Sequence, residues 1–215
     1  MNSHTRRILL PGPIGAIEVL EDVQEVATPA GVAIIAHPHP LFGGTAQNKV
    51  VQTLARAFVQ CGWRTLRPNF RGVGATQGTH DGGRGELQDL LAILHHVHQS
   101  HPGMPTALAG FSFGAYVISH VLAAMNESET PLKVVMVGTA VSRFQVTPIP
   151  ADLHQRTLVL HGERDDVVPL SDILDWARPQ SLPVTVVPGG EHFFHGQLPL
   201  LRSLVARHLY APIVT

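Results

Sequence analysis

The sequence is short of charge, of cysteine and of long apolar runs, and each shortage removes a class of protein. Charged residues make up only 14% of the 215, while mean hydropathy is positive at +0.14. A disordered chain needs the opposite balance. With 15 basic and 16 acidic side chains the formal net charge is −1. The longest basic run is the pair Arg6-Arg7, far from the basic stripe that tracks a phosphate backbone, so no nucleic-acid partner is expected. The single cysteine, Cys61, excludes an internal disulfide. It precedes Gly62 at what reads as a helix end and is expected as a buried structural thiol. After Arg6-Arg7 only Ile8-Leu9-Leu10 precede Pro11, whereas a secretory signal needs about 7–15 apolar residues there. The one stretch that invites a membrane reading, 104–125, is broken by Gly110, Ser112, Gly114, Tyr116, Ser119 and His120. A soluble, cytoplasmic protein with no membrane partner is expected.

What is present is ample apolar material, 44% of the chain. A chain of this length buries roughly 70% of the surface its unfolded form exposes, enough for a sizeable core. No repeat, low-complexity segment or linker interrupts it, so one domain over 1–215 is expected. Short β-branched runs at 32–36, 107–109, 134–137, 157–160 and 184–187, with a weaker one at 63–66, lack polar alternation. Such runs suit strands buried on both faces of a parallel sheet. Between them lie apolar stripes at helical spacing, for example Val50, Val51, Leu54, Ala55 and Phe58 with Gly62 as a stop. Others run through Leu87–His98, Val117–Met125 and Leu201–His208. The alternation predicts an α/β fold: a mostly parallel central sheet with helices on both faces. Residues 8–20, turning at Pro11-Gly12-Pro13, read as an N-terminal antiparallel hairpin at its edge.

In open α/β sheets the chemistry sits outside the carboxyl ends of the strands, so the residues after each run are informative. After 107–109 comes Gly110-Phe111-Ser112-Phe113-Gly114, followed by a helical stripe. This is G-x-S-x-G in a strand–turn–helix context, in which a sharp turn lifts the serine hydroxyl off the sheet and the flanking glycines avoid collisions. Ser112 is the candidate nucleophile; the bland alternative is a helix N-cap. A serine needs a base and the base needs an orienting acid. After 157–160 comes His161-Gly162-Glu163-Arg164-Asp165-Asp166, and after 184–187 comes Pro188-Gly189-Gly190-Glu191-His192-Phe193-Phe194-His195. Ser112, Asp165 and His192 fall in the chain order of this architecture. Adjacent Asp166 and nearby Glu163 are the alternative carboxylates, and His195 is read as a pocket-lining residue.

An oxyanion needs donors. The backbone N–H of Phe113 is one candidate. The second is sought in His37-Pro38-His39-Pro40-Leu41-Phe42-Gly43-Gly44. Pro38 and Pro40 have no N–H, which leaves His39, with Leu41 as the fallback. Because that donor is main-chain, His39→Ala need not abolish it.

Gly110–Gly114, Gly162-x-x-Asp165 and Glu191-His192-Phe193-Phe194 resemble the α/β-hydrolase superfamily. With His37-Pro38-His39-Pro40-x-x-Gly43-Gly44 and Asn69-Phe70-Arg71-Gly72-Val73-Gly74, nearly the whole chain is similar to its small, lidless bacterial dienelactone-hydrolase-like members. The resemblance implies an α/β-hydrolase fold and a Ser112–Asp165–His192 hydrolase. True dienelactone hydrolases carry Cys where this chain has Ser112, so a dienelactone substrate is not implied. Superfamily members often insert a cap before the acid-bearing strand; here 139–156, with Pro148 and Pro150, is only long enough for a loop or a turn of helix. A shallow, accessible site is expected.

The expected activity is hydrolysis of carboxylic esters with short to medium acyl or aryl groups, without a cofactor, by a monomer or homodimer. Thioester and amide substrates use the same triad, and a non-catalytic binding scaffold is the rival outside enzymology. Phe42, Phe111, Phe113, Phe193, Phe194 and His195 are the candidate walls, with Phe42, Phe111 and His195 the leading substrate contacts. A metal reading on His37-x-His39 and His192/His195 is weak, because H-x-H-x-D-H is not completed. No metal is expected. Gly72-x-Gly74 lacks the last fingerprint glycine, which disfavours a nucleotide; Arg71 and 72–83 read as a tight turn beside the site.

Overall fold

A computed structural model describes residues 5–23, 28–126 and 129–212. Eight strands form one sheet: β1 Thr5–Gly12, β2 Gly15–Asp22, β3 Val32–Ala36, β4 Arg64–Pro68, β5 Thr106–Phe111, β6 Lys133–Val137, β7 Thr157–Gly162 and β8 Val184–Val187. Their spatial order is β1-β2-β4-β3-β5-β6-β7-β8. The β1–β2 hairpin and the β2–β4 pair are antiparallel; every pairing from β4 to β8 is parallel. Among the described residues five α-helices complete the frame: α1 Lys49–Gln60, α2 Arg84–Ser100, α3 Phe113–Ala124, α4 Leu170–Ala177 and α5 Leu198–Tyr210.

The β-branched runs become central strands because both of their faces meet helices. Side chains alternate across a strand, so Ile34, Leu108, Met136 and Val159 face α2, α3 and α4 in one core cluster. Their neighbours Ala33, Ile35, Ala109, Val135 and Leu160 face α1 and α5 in the other. Leu90, Ile93, Leu94 and Val97 are the buried stripe of α2 in the first cluster; Val50, Val51, Leu54 and Phe58 are that of α1 in the second. Burial of about 25 cal/mol per Å² on both faces of the sheet is the main favourable term.

Three details depart from expectation. β8 has the composition of a doubly buried strand but lies at the sheet edge, and Val186 is 36% exposed. α4 was not anticipated: only eight residues long, it shows too little of the helical period to announce itself, although Ile173 and Ala177, four apart, are buried. Cys61 is only half-buried, its Sγ 4.0 Å from the Ala206 carbonyl; the burial it does have pushes the thiol up. No helix among the described residues is long and apolar enough to cross a membrane. Residues 139–156 form turns and a 3₁₀ helix at Ala151–Arg156, with no inserted domain over the sheet.

Candidate active site

The site is built at the carboxyl ends of β5, β7 and β8. Where β5 passes into α3, Ser112 has φ 55° and ψ −116°, a left-handed conformation costly for any residue with a Cβ. Its neighbours must yield to allow the turn. A Cβ on Gly110 would sit 2.5 Å from the Ala115 nitrogen, and one on Gly114 2.3 Å from the Ala36 carbonyl oxygen. The Ser112 N–H donates to the Val137 carbonyl at 2.8 Å, which ties the turn to β6. Ser112 occupies the N-cap position of α3, yet its side chain makes no capping hydrogen bond. The hydroxyl instead faces an imidazole.

That imidazole is His192, on the turn after β8. Its Nε2 is 3.1 Å from Ser112 Oγ, and its Nδ1 is 2.7 Å from Asp165 Oδ2. A carboxylate only accepts, so Nδ1 is the donor of that pair and Nε2 is left to face the hydroxyl. All three residues are buried. The Phe111 ring lies 5.0 Å from the His192 ring, and Phe193 meets it edge-on at 5.1 Å. Gly138, at φ 52°, leaves room for the imidazole: a Cβ there would lie 3.2 Å from Cε1.

Asp165 is held after β7 by its own turn, with Oδ1 accepting from the Val167 and Val168 N–H groups at 2.9 and 2.7 Å. Burial alone would raise its carboxyl. The hydrogen bond and charge of His192, with the Val168 N–H, more than offset that and hold it below the ordinary aspartate range. Asp166 is exposed, and Glu163 accepts from the Gly189 N–H at 2.7 Å. Neither reaches His192. His161 stands behind Asp165, its Nε2 3.7 Å from Oδ2, and donates to the Val168 carbonyl; burial lowers it.

The loop after β3 supplies the opposite wall. Pro40–Phe42 form a 3₁₀ turn, closed by Phe42 and Gly44 N–H groups donating to the His39 carbonyl at 3.1 and 3.0 Å. The Leu41 N–H donates to His39 Nδ1 at 3.2 Å, so the fallback donor is already engaged. The N–H groups of His39 and Phe113 have no acceptor among the described residues, and both residues line one cavity with Ser112 and His192.

This cavity measures about 410 Å³, within the range of small-molecule sites. Phe42, Phe144 and Phe193 give it an aromatic wall, Phe113 borders it with its ring buried in the core, and Arg143 is the one Lys, Arg, Asp or Glu in its lining. Two expected contacts are corrected. Phe111 is fully buried: as the last residue of β5 its pleat direction sends the ring beneath His192, outside the cavity. His195 turns outward, its side chain 69% exposed and its Nδ1 3.2 Å from Glu191 Oε2. Phe194, also offered as a wall, is fully buried in the core. Phe144 and Arg143 were missed, though both follow β6, where the strand-end rule directs attention.

The pairs offered for a metal also separate. His37 uses both ring nitrogens, accepting from the Phe70 N–H and donating to the Pro38 carbonyl. Among the described residues no three His, Cys, Asp or Glu side chains form a metal-holding group. The 72–83 segment lies beside the site through His80, whose ring is 4.6 Å from His39 and 5.4 Å from Phe113. Arg71 anchors it to α2 through a two-pronged ion pair with Asp89.

Residues 29–155 match the family model described as serine aminopeptidase, S33. The structure superposes on a lidless α/β serine hydrolase from Xanthomonas campestris with a TM-score of 0.86 and 31% identity, covering 100% of this chain and 99% of that one. An α/β serine hydrolase homologue from Coxiella burnetii gives a TM-score of 0.83 and 38% identity, covering 95% and 97% of the two chains. An uncharacterized protein from Rickettsia prowazekii is 31% identical over 201 residues, 87% of this chain and 82% of its own. With the sheet order and strand-end site above, the chain belongs to the serine aminopeptidase S33 family of the α/β-hydrolase superfamily.

Proposed function

We propose that the chain is a serine esterase that cleaves small carboxylic esters with short to medium acyl or aryl groups. The observation that carries this reading is the hydrogen-bonded line Ser112 Oγ–His192 Nε2, His192 Nδ1–Asp165 Oδ2, opening into an aromatic cavity. The relatives from Xanthomonas and Coxiella, described as serine hydrolases, support it.

In this mechanism Ser112 Oγ attacks the ester carbonyl while His192 Nε2 takes its proton. The oxyanion is met by the N–H groups of Phe113 and His39, at the N-terminus of α3 where partial positive charge gathers. Collapse breaks the C–O bond, and the leaving alcohol takes the proton from His192. Water then repeats the sequence on the acyl-enzyme and returns Ser112. Asp165 keeps the imidazole in its Nδ1–H form and faces the charge that His192 gains. Phe42, Phe144 and Phe193 offer an apolar bed for the acyl or aryl group.

The test is labelling with a fluorophosphonate probe. Stoichiometric labelling of the native chain, absent in Ser112→Ala, is the expected result. A folded native chain that stays unlabelled and leaves 4-nitrophenyl acetate intact overturns the reading.

A further inference from the structure

A buried histidine that takes no part in the proposed proton transfers stands at the root of the oxyanion loop. His37, the first residue after β3, is fully buried. Its Nε2 accepts from the Phe70 N–H at 2.9 Å and its Nδ1 donates to the Pro38 carbonyl oxygen at 2.6 Å. These two partners fix its tautomer, because an N–H only donates and a carbonyl only accepts. Burial depresses its basicity to about 4, so it stays neutral in ordinary buffers.

The Pro38 carbonyl belongs to the same planar unit as the His39 N–H. No peptide bond among the described residues is cis, and in a trans unit C=O and N–H point in opposite directions. Holding the Pro38 oxygen toward His37 therefore turns the His39 N–H away from His37, and His39 lines the cavity together with Ser112. On the serine-esterase reading, we infer that His37 is a positioning residue for the oxyanion site, locking the Pro38–His39 peptide plane so that the His39 N–H is aimed before substrate arrives.

Two further features hold the same plane. Gly44 crosses the Pro38 carbonyl so closely that a Cβ would lie 2.1 Å from its oxygen. The far end of the loop is fastened by the Ala46 N–H, which donates to Asn69 Oδ1 at 2.8 Å. His37 and Asn69 thus pin both ends of the loop to one place, the exit of β4. A donor set before the reaction costs no reorganisation when charge develops.

The experiment compares His37→Asn with His37→Gln in the full chain, using 4-nitrophenyl butyrate. The Asn amide nitrogen falls where Nδ1 was and keeps the bond to the Pro38 carbonyl. The Gln amide falls where Nε2 was and keeps the Phe70 bond instead. Each loses one of two buried hydrogen bonds, so their melting temperatures should fall by similar amounts. Only His37→Gln should lower kcat, by roughly 10- to 100-fold with KM within threefold, since losing an oxyanion donor outright costs about 10²–10³. His37→Asn should stay within about fivefold of the native kcat. Gly44→Ala disturbs the same carbonyl without touching His37 and should reproduce the kcat loss, which keeps the test decisive if His37→Gln does not fold. Equal kcat losses in the two His37 variants, or native kcat in His37→Gln or Gly44→Ala, overturn the inference alone. A native chain that reacts with neither the ester nor a fluorophosphonate overturns the esterase reading first and this inference with it.

Discussion

Asp165 meets His192 with a single oxygen. Oδ2 lies 2.7 Å from Nδ1, while Oδ1 is occupied by the N–H groups of Val167 and Val168. The carboxylate cannot swing without breaking two main-chain bonds, and this fixes the plane of the imidazole. Asp165→Asn would place an amide opposite Nδ1 and favour the wrong tautomer. Ester turnover should fall by about 10³–10⁴, while exposed Asp166→Asn should change it by less than about threefold. Steady-state kinetics on 4-nitrophenyl acetate decide the matter; a larger loss in the Asp166 variant would reassign the acid.

The turn around Ser112 makes a prediction about stability that is independent of chemistry. At Gly114 an added methyl would press on the Ala36 carbonyl at 2.3 Å, and at Gly110 on the Ala115 nitrogen at 2.5 Å. Both obstacles are backbone, which has little room to yield. Gly114→Ala and Gly110→Ala should each cost at least about 2 kcal/mol, read as a lower urea midpoint with unchanged slope. Ser112→Ala keeps the left-handed residue but removes no packing, so it should leave the midpoint within about 0.5 kcal/mol of native. A native-like midpoint in either glycine variant would contradict the crowded turn.

Activation of Ser112 as proposed runs through side chains alone. Prolonged dialysis against EDTA, followed by assay in metal-free buffer, should retain full ester turnover. Loss of activity restored by a divalent cation would require a ligand set other than any described above.

The legible parts of this molecule were those with a local cause. β3 and β8 were read to the residue because their β-branched runs end at His37 and Pro188. The turn at Ser112 was legible because a sharp strand-to-helix bend demands glycines on both sides, and the demand is written within five residues. What failed depended on direction or on distance. Phe111 and Phe113 flank the serine symmetrically in sequence and both rings are buried, but on opposite faces of the sheet: the first ends a pleated strand beneath His192, and the second opens a helix at the border of the cavity. Asp165 was read as the acid ahead of chemically identical Asp166, and the physical difference between them, the turn that takes Oδ1, is visible only in three dimensions. Phe144 joins the wall from a segment with no periodic signal, brought there by the register of β6 beside β5. The weight carried by His37 was equally hidden, since a buried histidine announces its partners only in three dimensions.

Acid should unfold the protein through histidine before it does so through carboxylates. His37 and His208 are both depressed from 6.5 to about 4, each chiefly by burial. His208 is also lowered by Lys133, whose Nζ donates to the His208 and Ala211 carbonyls at the end of α5. Below about pH 6.5 these two side chains take up protons in the unfolded chain while the folded chain leaves them neutral. Stability is therefore complete above that pH and drains away as pH falls toward 4, by roughly 3 kcal/mol for each at the lower end. Asp165, held below the ordinary aspartate value, keeps its contribution above about pH 4 and loses it only in stronger acid. Urea unfolding at pH 7.5, 6, 5 and 4.5 should show the decline. His208→Gln keeps a donor for the Arg156 carbonyl, which His208 Nε2 meets at 3.1 Å, and lies far from Ser112 on α5. It should shed part of the pH dependence and leave ester turnover untouched. An unfolding free energy flat from pH 7.5 to 4.5 in the native chain would show that the fold holds neither histidine neutral.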